Sequence, residues 1–167
     1  MCMYFDMYVI IVTIIFSRYT FLFSNYICNR IDMNKKNPEN LLYTRDHEWI
    51  SREKVNNEYF LVGITDYAQE QLGDIVYLEV PETDKKFLKG DVLAEIENVK
   101  SVNNIMAPAN GHIREVNDQV LETPEIIKND PFGKGWILKY DVADPNDLGD
   151  LMDHQQYTLF LGTLEDK

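Results

Sequence analysis

Lys100 stands between two short runs of alternating character, Gly90-Asp91-Val92-Leu93-Ala94-Glu95-Ile96 before it and Val102-Asn103-Asn104-Ile105-Met106-Ala107-Pro108 after it. Each run reads as a strand, which puts the lysine at the apex of a hairpin. Gly90-Asp91 opens the first strand as a turn pair, and Pro108 with Asn110-Gly111 closes the second and starts a third from His112 to Val116. An amine held at such an apex is reachable by a second protein, and the chemistry it offers is enzymatic acylation. A solvated turn charge is the ordinary use of a lysine in this position, so the surrounding residues decide between the two readings.

Little else in the chain competes for a chemical role. Both cysteines, Cys2 and Cys28, fall in the first 38 residues, so the remainder has no thiol for a nucleophile, a disulfide or a Cys-ligated metal. His47, His112 and His154 lack the paired spacing of a metal site and read as surface or structural. There is no Gly-rich phosphate loop and no Gly-x-Ser-x-Gly elbow. The expectation is a carrier without metal or catalytic machinery of its own. Formal charge is −12, and residues 1–38 hold four basic and two acidic side chains, which leaves −14 on the rest. A surface this acidic repels nucleic acid and favours basic partner faces, although solubility alone accounts for it equally well.

The elements that must position Lys100 follow from pattern. His47 to Ser51 and Glu58 to Ile64 read as a strand pair around the polar turn Val55-Asn56-Asn57. Asp66 and Gln69 have capping-box spacing, and Gly73 is placed to end the short helix they begin. Ile75 to Val80 sets Ile75, Tyr77 and Glu79 against Val76, Leu78 and Val80, the period of a strand, and Pro81 ends it. Gly111 to Val120 reads as strand, and Thr123-Pro124-Glu125 opens a helix through Asn129. Gly135 to Val142 is a last strand with Trp136, Leu138 and Tyr140 on one face. Asp144-Pro145 begins a helix bearing Leu148, Leu151 and Met152, and Asp153 caps another bearing Tyr157, Phe160 and Leu161.

The hairpin resembles the modified hairpin of lipoyl and biotinyl carrier domains, although Val99-Lys100-Ser101 is neither the Met-flanked lysine of biotin carriers nor the Asp-Lys-Ala of many acyltransferases. Three further segments narrow the resemblance: Tyr43-Thr44-Arg45-Asp46-His47-Glu48-Trp49-Ile50, Val62 to Val76 with its Ile64-Thr65-Asp66-Tyr67-Ala68-Gln69 core, and Asp130-Pro131-Phe132-Gly133-Lys134-Gly135-Trp136. Together with Glu97 to Lys100 they resemble the H proteins of the glycine cleavage system, in the same order and over roughly Leu41 to Leu161. The resemblance implies a mainly β fold, a lipoyl/biotinyl-carrier-like barrel-sandwich hybrid with short flanking helices.

It also implies lipoate in amide linkage to Lys100, with Glu97, Val99 and Ser101 read by a lipoylating enzyme. The implied partners are a pyridoxal-phosphate glycine decarboxylase (P protein), a tetrahydrofolate-dependent aminomethyltransferase (T protein) and the flavin enzyme dihydrolipoyl dehydrogenase (L protein). One arm visits all three, carrying the aminomethyl group of glycine. Family members lodge the loaded arm against the protein, and Glu48, Tyr67 and Asn104 match positions of that cleft. Where the family often has Ser-Asp or Ser-Glu, this chain has Asn103-Asn104, so the sheltering is expected to be looser. A second function keeps lipoate on Lys100 but makes the chain a donor or relay for other complexes; a third is an interaction module with an unmodified lysine.

Residues 1–40 read as an N-terminal extension, a targeting segment or disordered leader, before a carrier domain with C-terminal helices at 41–167. Met7 to Phe23 is apolar apart from Arg18, shorter than a membrane span, without the basic start of a secretory signal and poor in arginine for a mitochondrial presequence. Met33 is an alternative start. No membrane is expected for the mature domain, and the family in eukaryotes implies a mitochondrion, with a plastid-like organelle as the alternative.

Overall fold

The computed structural model describes residues 37–165. The expected extension falls largely on residues 1–36, which lie outside the described residues. Among the described residues, nine strands form two antiparallel sheets. The larger has the order β1-β2-β3-β9-β8-β5, from Leu41–Tyr43 (β1), Glu48–Ser51 (β2), Phe60–Ile64 (β3), Leu138–Val142 (β9), Gly111–Val116 (β8) and Lys86–Phe87 (β5). The smaller has the order β4-β6-β7, from Ile75–Glu79 (β4), Val92–Asn98 (β6) and Val102–Met106 (β7). Helices α1 (Asp66–Leu72), α2 (Asp118–Glu122), α3 (Glu125–Asn129) and α4 (His154–Glu165), with a 3-10 turn at Pro145–Asp150, complete the described chain.

The expected barrel-sandwich hybrid, mainly β, is corrected by this topology. Both sheets are open, and the fold is a mixed α/β arrangement of two open sheets. A barrel needs strand pairing that closes on itself, and the chain interrupts pairing where closure would have to occur. β5 is two residues long, and β7 stops at Met106, just before Ala107 and Pro108, the latter with no N–H to donate.

The apolar residues of both sheets face a common interior. Ile50, Val62, Ile64, Ile113, Leu138 and Tyr140 of the larger sheet pack with Leu78, Leu93, Ile96 and Ile105 of the smaller. A second cluster joins Tyr43 and Trp49 to Tyr157 of α4, the two tyrosine rings stacking at 4.5 Å and 7°. Trp49 is anchored by its Nε1–H, which donates to the carbonyls of Ile64 (2.9 Å) and Pro131 (3.2 Å).

Local chemistry departs from simple periodicity at four places. In β4 a register shift between Ile75 and Tyr77 buries Ile75 and Leu78 and leaves Val76 and Tyr77 exposed, so the expected alternation is broken. Thr65, not Asp66, caps α1, its hydroxyl accepting the Ala68 N–H at 3.3 Å. Gly73 ends that helix as expected, at φ 73°. The strand expected to reach Val120 stops at Val116, because Asn117 caps α2 through the Gln119 N–H and ties its Nδ2 to the carbonyls of Lys134 and Trp136. Trp136 precedes β9 and packs with the Trp49 cluster, while Leu138 and Tyr140 enter the main core.

The tightest backbone approach is at Gly111 of β8, where a Cβ would lie 2.1 Å from the Asp141 carbonyl oxygen of β9 and 2.7 Å from the Tyr140 ring. Neither neighbour is free to retreat, since one is backbone and the other is fully buried. Gly111→Ala is therefore expected to lower stability by about 3 kcal/mol, read as a drop in the urea unfolding midpoint; an unchanged midpoint would contradict this packing.

Candidate functional site

β6 and β7 pair Ala94 with Ile105, Glu95 with Asn104, Ile96 with Asn103 and Glu97 with Val102. Ile96 and Ile105 are buried, and Glu95, Glu97, Val102 and Asn104 are exposed, so the hairpin has one face in the core and one in water. Its turn is two residues, Val99-Lys100, closed by the Asn98 N–H donating to the Ser101 carbonyl at 3.0 Å. Lys100 is exposed and Val99 is 81% exposed. The Lys100 ammonium makes no ion pair among the described residues, which leaves the amine open to a second protein.

The three residues expected to flank recognition divide in role. Glu97 and Val99 point to solvent beside Lys100. Ser101 is engaged within the turn, its hydroxyl donating to Asn98 Oδ1 at 3.3 Å and accepting from Asn103 Nδ2 at 3.0 Å.

Asn98 was not singled out by sequence reasoning. Its Oδ1 accepts the N–H groups of both Lys100 and Ser101 at 2.8 Å, while its Nδ2 donates to the Leu72 carbonyl at 2.8 Å. The only advance signal was an asparagine just before a tight turn, a residue suited to bonding backbone two positions on.

Beside the hairpin lies a cleft of about 190 Å³ that brings together Glu48, Tyr67 and Asn104, the three residues expected to share one, along with His47 and Asn103. Glu48 is 1% exposed and comes from β2. Its Oε1 accepts the Met106 N–H at 2.8 Å, Oε2 accepts the Thr44 hydroxyl, and the Thr44 hydroxyl oxygen in turn accepts the Glu48 N–H at 3.0 Å. Burial raises the Glu48 pKa, and the bonds from Thr44 and Met106 oppose that rise without cancelling it. Glu48 also lines a second cleft of about 330 Å³, bounded by Arg45, Lys89 and Met152.

His47 is a part of the site that the sequence did not distinguish from an ordinary surface histidine. Its ring lies 4.5 Å from Tyr67, and Nδ1 is 2.8 Å from the Tyr157 hydroxyl, itself 2.9 Å from Thr65 Oγ1. Burial lowers its pKa, outweighing the nearby Asp46, which favours a neutral ring.

A family model described as glycine cleavage H-protein matches residues 41–163. The chain belongs to that family. A glycine cleavage system H protein of Halothermothrix orenii is 43% identical over 128 residues, 77% of this chain and 98% of the relative. One from Thermotoga maritima is 45% identical over 118 residues, covering 71% and 93% respectively. The crystal structure of an H protein from Mycobacterium marinum superposes with a TM-score of 0.68 at 34% identity, covering 75% of this chain and 99% of that one. These relatives, with those from Staphylococcus epidermidis, Aquifex aeolicus, Anaeromyxobacter and Carboxydothermus hydrogenoformans, are bacterial. The expectation of a mitochondrial or plastid-like location, which rested on a eukaryotic family context, is overturned by that distribution.

The raised pKa of Glu48 has a consequence for stability. The folded H-family chain holds this proton more tightly than the unfolded one. The stabilisation is therefore full below the ordinary glutamate pKa and is lost as pH rises through the native value. Glu48→Gln keeps the shape without the titrating proton. Urea midpoints compared between about pH 4 and about pH 7 are expected to shift in favour of the variant as pH rises; a difference constant with pH would contradict the assignment.

Proposed function

We propose that Lys100 is the residue on which this chain carries lipoate, and that the cleft walled by Glu48, Tyr67 and Asn104 receives the end of the arm. The chain is a non-catalytic, lipoyl-bearing carrier of the glycine cleavage system that shuttles the aminomethyl group of glycine. Family members are lipoylated on a lysine. The observation that carries the assignment is the lysine's setting: a fully presented amine on a two-residue turn, without an ion pair among the described residues, at the tip of a sheet anchored in the core.

The residues present fit the group. Amide formation at Lys100 would remove its charge, and nothing at the tip depends on that charge for pairing. Asn104 lies four strand residues from Lys100, about 13 Å along β7, so a side chain extended from the lysine comes within range of the cleft mouth. When bound, the lipoyl group supplies the reducible disulfide to which the aminomethyl group is transferred.

The chain's own residues then supply location and shelter. Glu48 is held in one rotamer by Thr44 and the Met106 N–H, and a cation entering the cleft would favour its ionised form. Tyr67 and His47 form an aromatic side wall. Asn103 and Asn104 give that mouth neutral polar groups, so the carboxylate part of the sheltering comes from the Asp46-Glu48 side. Decarboxylase, aminomethyltransferase and dihydrolipoyl dehydrogenase are the partners this reading assigns, and Glu97 with Val99 are the side chains it assigns to the lipoylating enzyme. An acidic residue beside the target amine favours a basic enzyme face.

Peptide mass spectrometry after incubation of the purified chain with a lipoate ligase, ATP and lipoate tests the assignment. A lipoyl increment confined to the Lys100 peptide, absent from Lys100→Ala, is expected. Modification of another lysine with Lys100 left bare would overturn it.

A further inference from the structure

We infer that Asn98 is the positioning residue of the carrier lysine: its side-chain amide fixes the Lys100 turn and ties that turn to the helix that walls the cleft. This inference rests on the reading of Lys100 as the attachment residue.

The geometry of one amide group carries it. Oδ1 of Asn98 gathers three donors, the Lys100 N–H and Ser101 N–H at 2.8 Å and the Ser101 hydroxyl at 3.3 Å. In a two-residue hairpin turn the Ser101 N–H would ordinarily bond the Asn98 backbone carbonyl; here the side chain takes that donor. The opposite edge of the amide, Nδ2, donates to the carbonyl of Leu72, the last residue of α1, at 2.8 Å. Helix C-termini leave carbonyls without helical partners, and this one is satisfied from the hairpin tip. The two edges determine each other: backbone N–H groups require Oδ1 on the turn side, and a carbonyl requires Nδ2 on the helix side.

α1 is the same helix that brings Tyr67, Gln71 and Leu72 to the cleft. One planar group therefore couples the direction in which Lys100 leaves the turn to the position of the cleft wall. Ser101 and Asn103 extend the connection along β7, with Asn103 Nδ2 donating to Ser101 Oγ at 3.0 Å and its side chain reaching the cleft. The β6–β7 ladder ends at Glu97 and Val102, and the pairing of β6 with β4 ends at Asn98 opposite Ile75, so neither ladder reaches Lys100 itself. Without Asn98, Lys100 would sit on a turn held by a single backbone bond. Small losses of position at a reacting group cost rate heavily.

The test uses the full-length unlipoylated protein with a lipoate ligase, ATP and lipoate. Initial rates are read by intact mass at subsaturating carrier, and amide hydrogen exchange is followed at the turn and in the β6–β7 ladder. Asn98→Ala is expected to lower the lipoylation kcat/KM by about tenfold and to expose the Lys100 and Ser101 amides, with the Ile96 and Ile105 amides still protected. Asn98→Asp keeps an acceptor for both turn N–H groups but sets an oxygen against the Leu72 carbonyl, so it is expected to restore their protection and to be modified at a rate between those of alanine and wild type. It also covers the case in which the alanine variant loosens the whole hairpin. An alanine variant modified at the wild-type rate would overturn the inference. So would an aspartate variant that protects both turn amides yet is as slow as alanine. Failure of the wild-type protein to be modified at Lys100 would instead sink the attachment assignment, with the exchange data still reporting whether Asn98 orders the turn.

Discussion

The hydrogen bond from the Met106 N–H to the buried carboxylate of Glu48 is the contact on which the site depends. Glu48 belongs to β2 in the larger sheet and Met106 ends β7 in the smaller, and no strand ladder connects the two sheets. A buried backbone N–H left without a partner is costly, so the base of the hairpin is held where the carboxylate is. The carboxylate is itself expensive to bury, and its cost is reduced by the Thr44 hydroxyl, within a loop that Thr44 and Glu48 close on each other. A single residue thus docks the hairpin, forms part of the cleft and sets the charge available there.

The hairpin is consequently fixed at both ends by side chains rather than by further strands. Its base is held by Glu48 and its tip by Asn98, with Ile96 and Ile105 packed into the core between them. Everything that would restrain the Lys100 ammonium is absent among the described residues, while everything beneath it is restrained. That contrast is what a carrier requires: a mobile group on an immobile point. The acidic surface, −14 outside the first 38 residues, favours basic partner faces.

The parts of this fold that were legible in the sequence are those set by local pattern. The hairpin, its apex lysine, the β2–β3 pair and the Asp153 cap of α4, which accepts the Gln156 N–H, stand where alternation and capping chemistry put them. The parts that were not legible depend on tertiary partners. Nothing in Ile75 to Val80 announces the shift that turns Tyr77 outward, and Asn117 reads as a strand residue until the Lys134 and Trp136 carbonyls are in place to receive its amide. Whether sheets close is a property of pairing between distant strands, and a two-residue β5 carries almost no signal of its own. That Glu48, Tyr67 and Asn104 line one cleft was legible through family motifs. His47 and Asn98 were not, because their partners, Tyr157 and Leu72, lie 110 and 26 residues away.

The central claim is that the chain works by carrying its cargo on Lys100 and on no other residue. The most direct measurement is the exchange of the glycine carboxyl group with bicarbonate, catalysed by glycine decarboxylase and supported by this protein after treatment with lipoate ligase. The account predicts exchange with the wild-type chain and only the rate of the decarboxylase alone with Lys100→Arg, at an unfolding midpoint unchanged from wild type. Equal exchange with the arginine variant would contradict it.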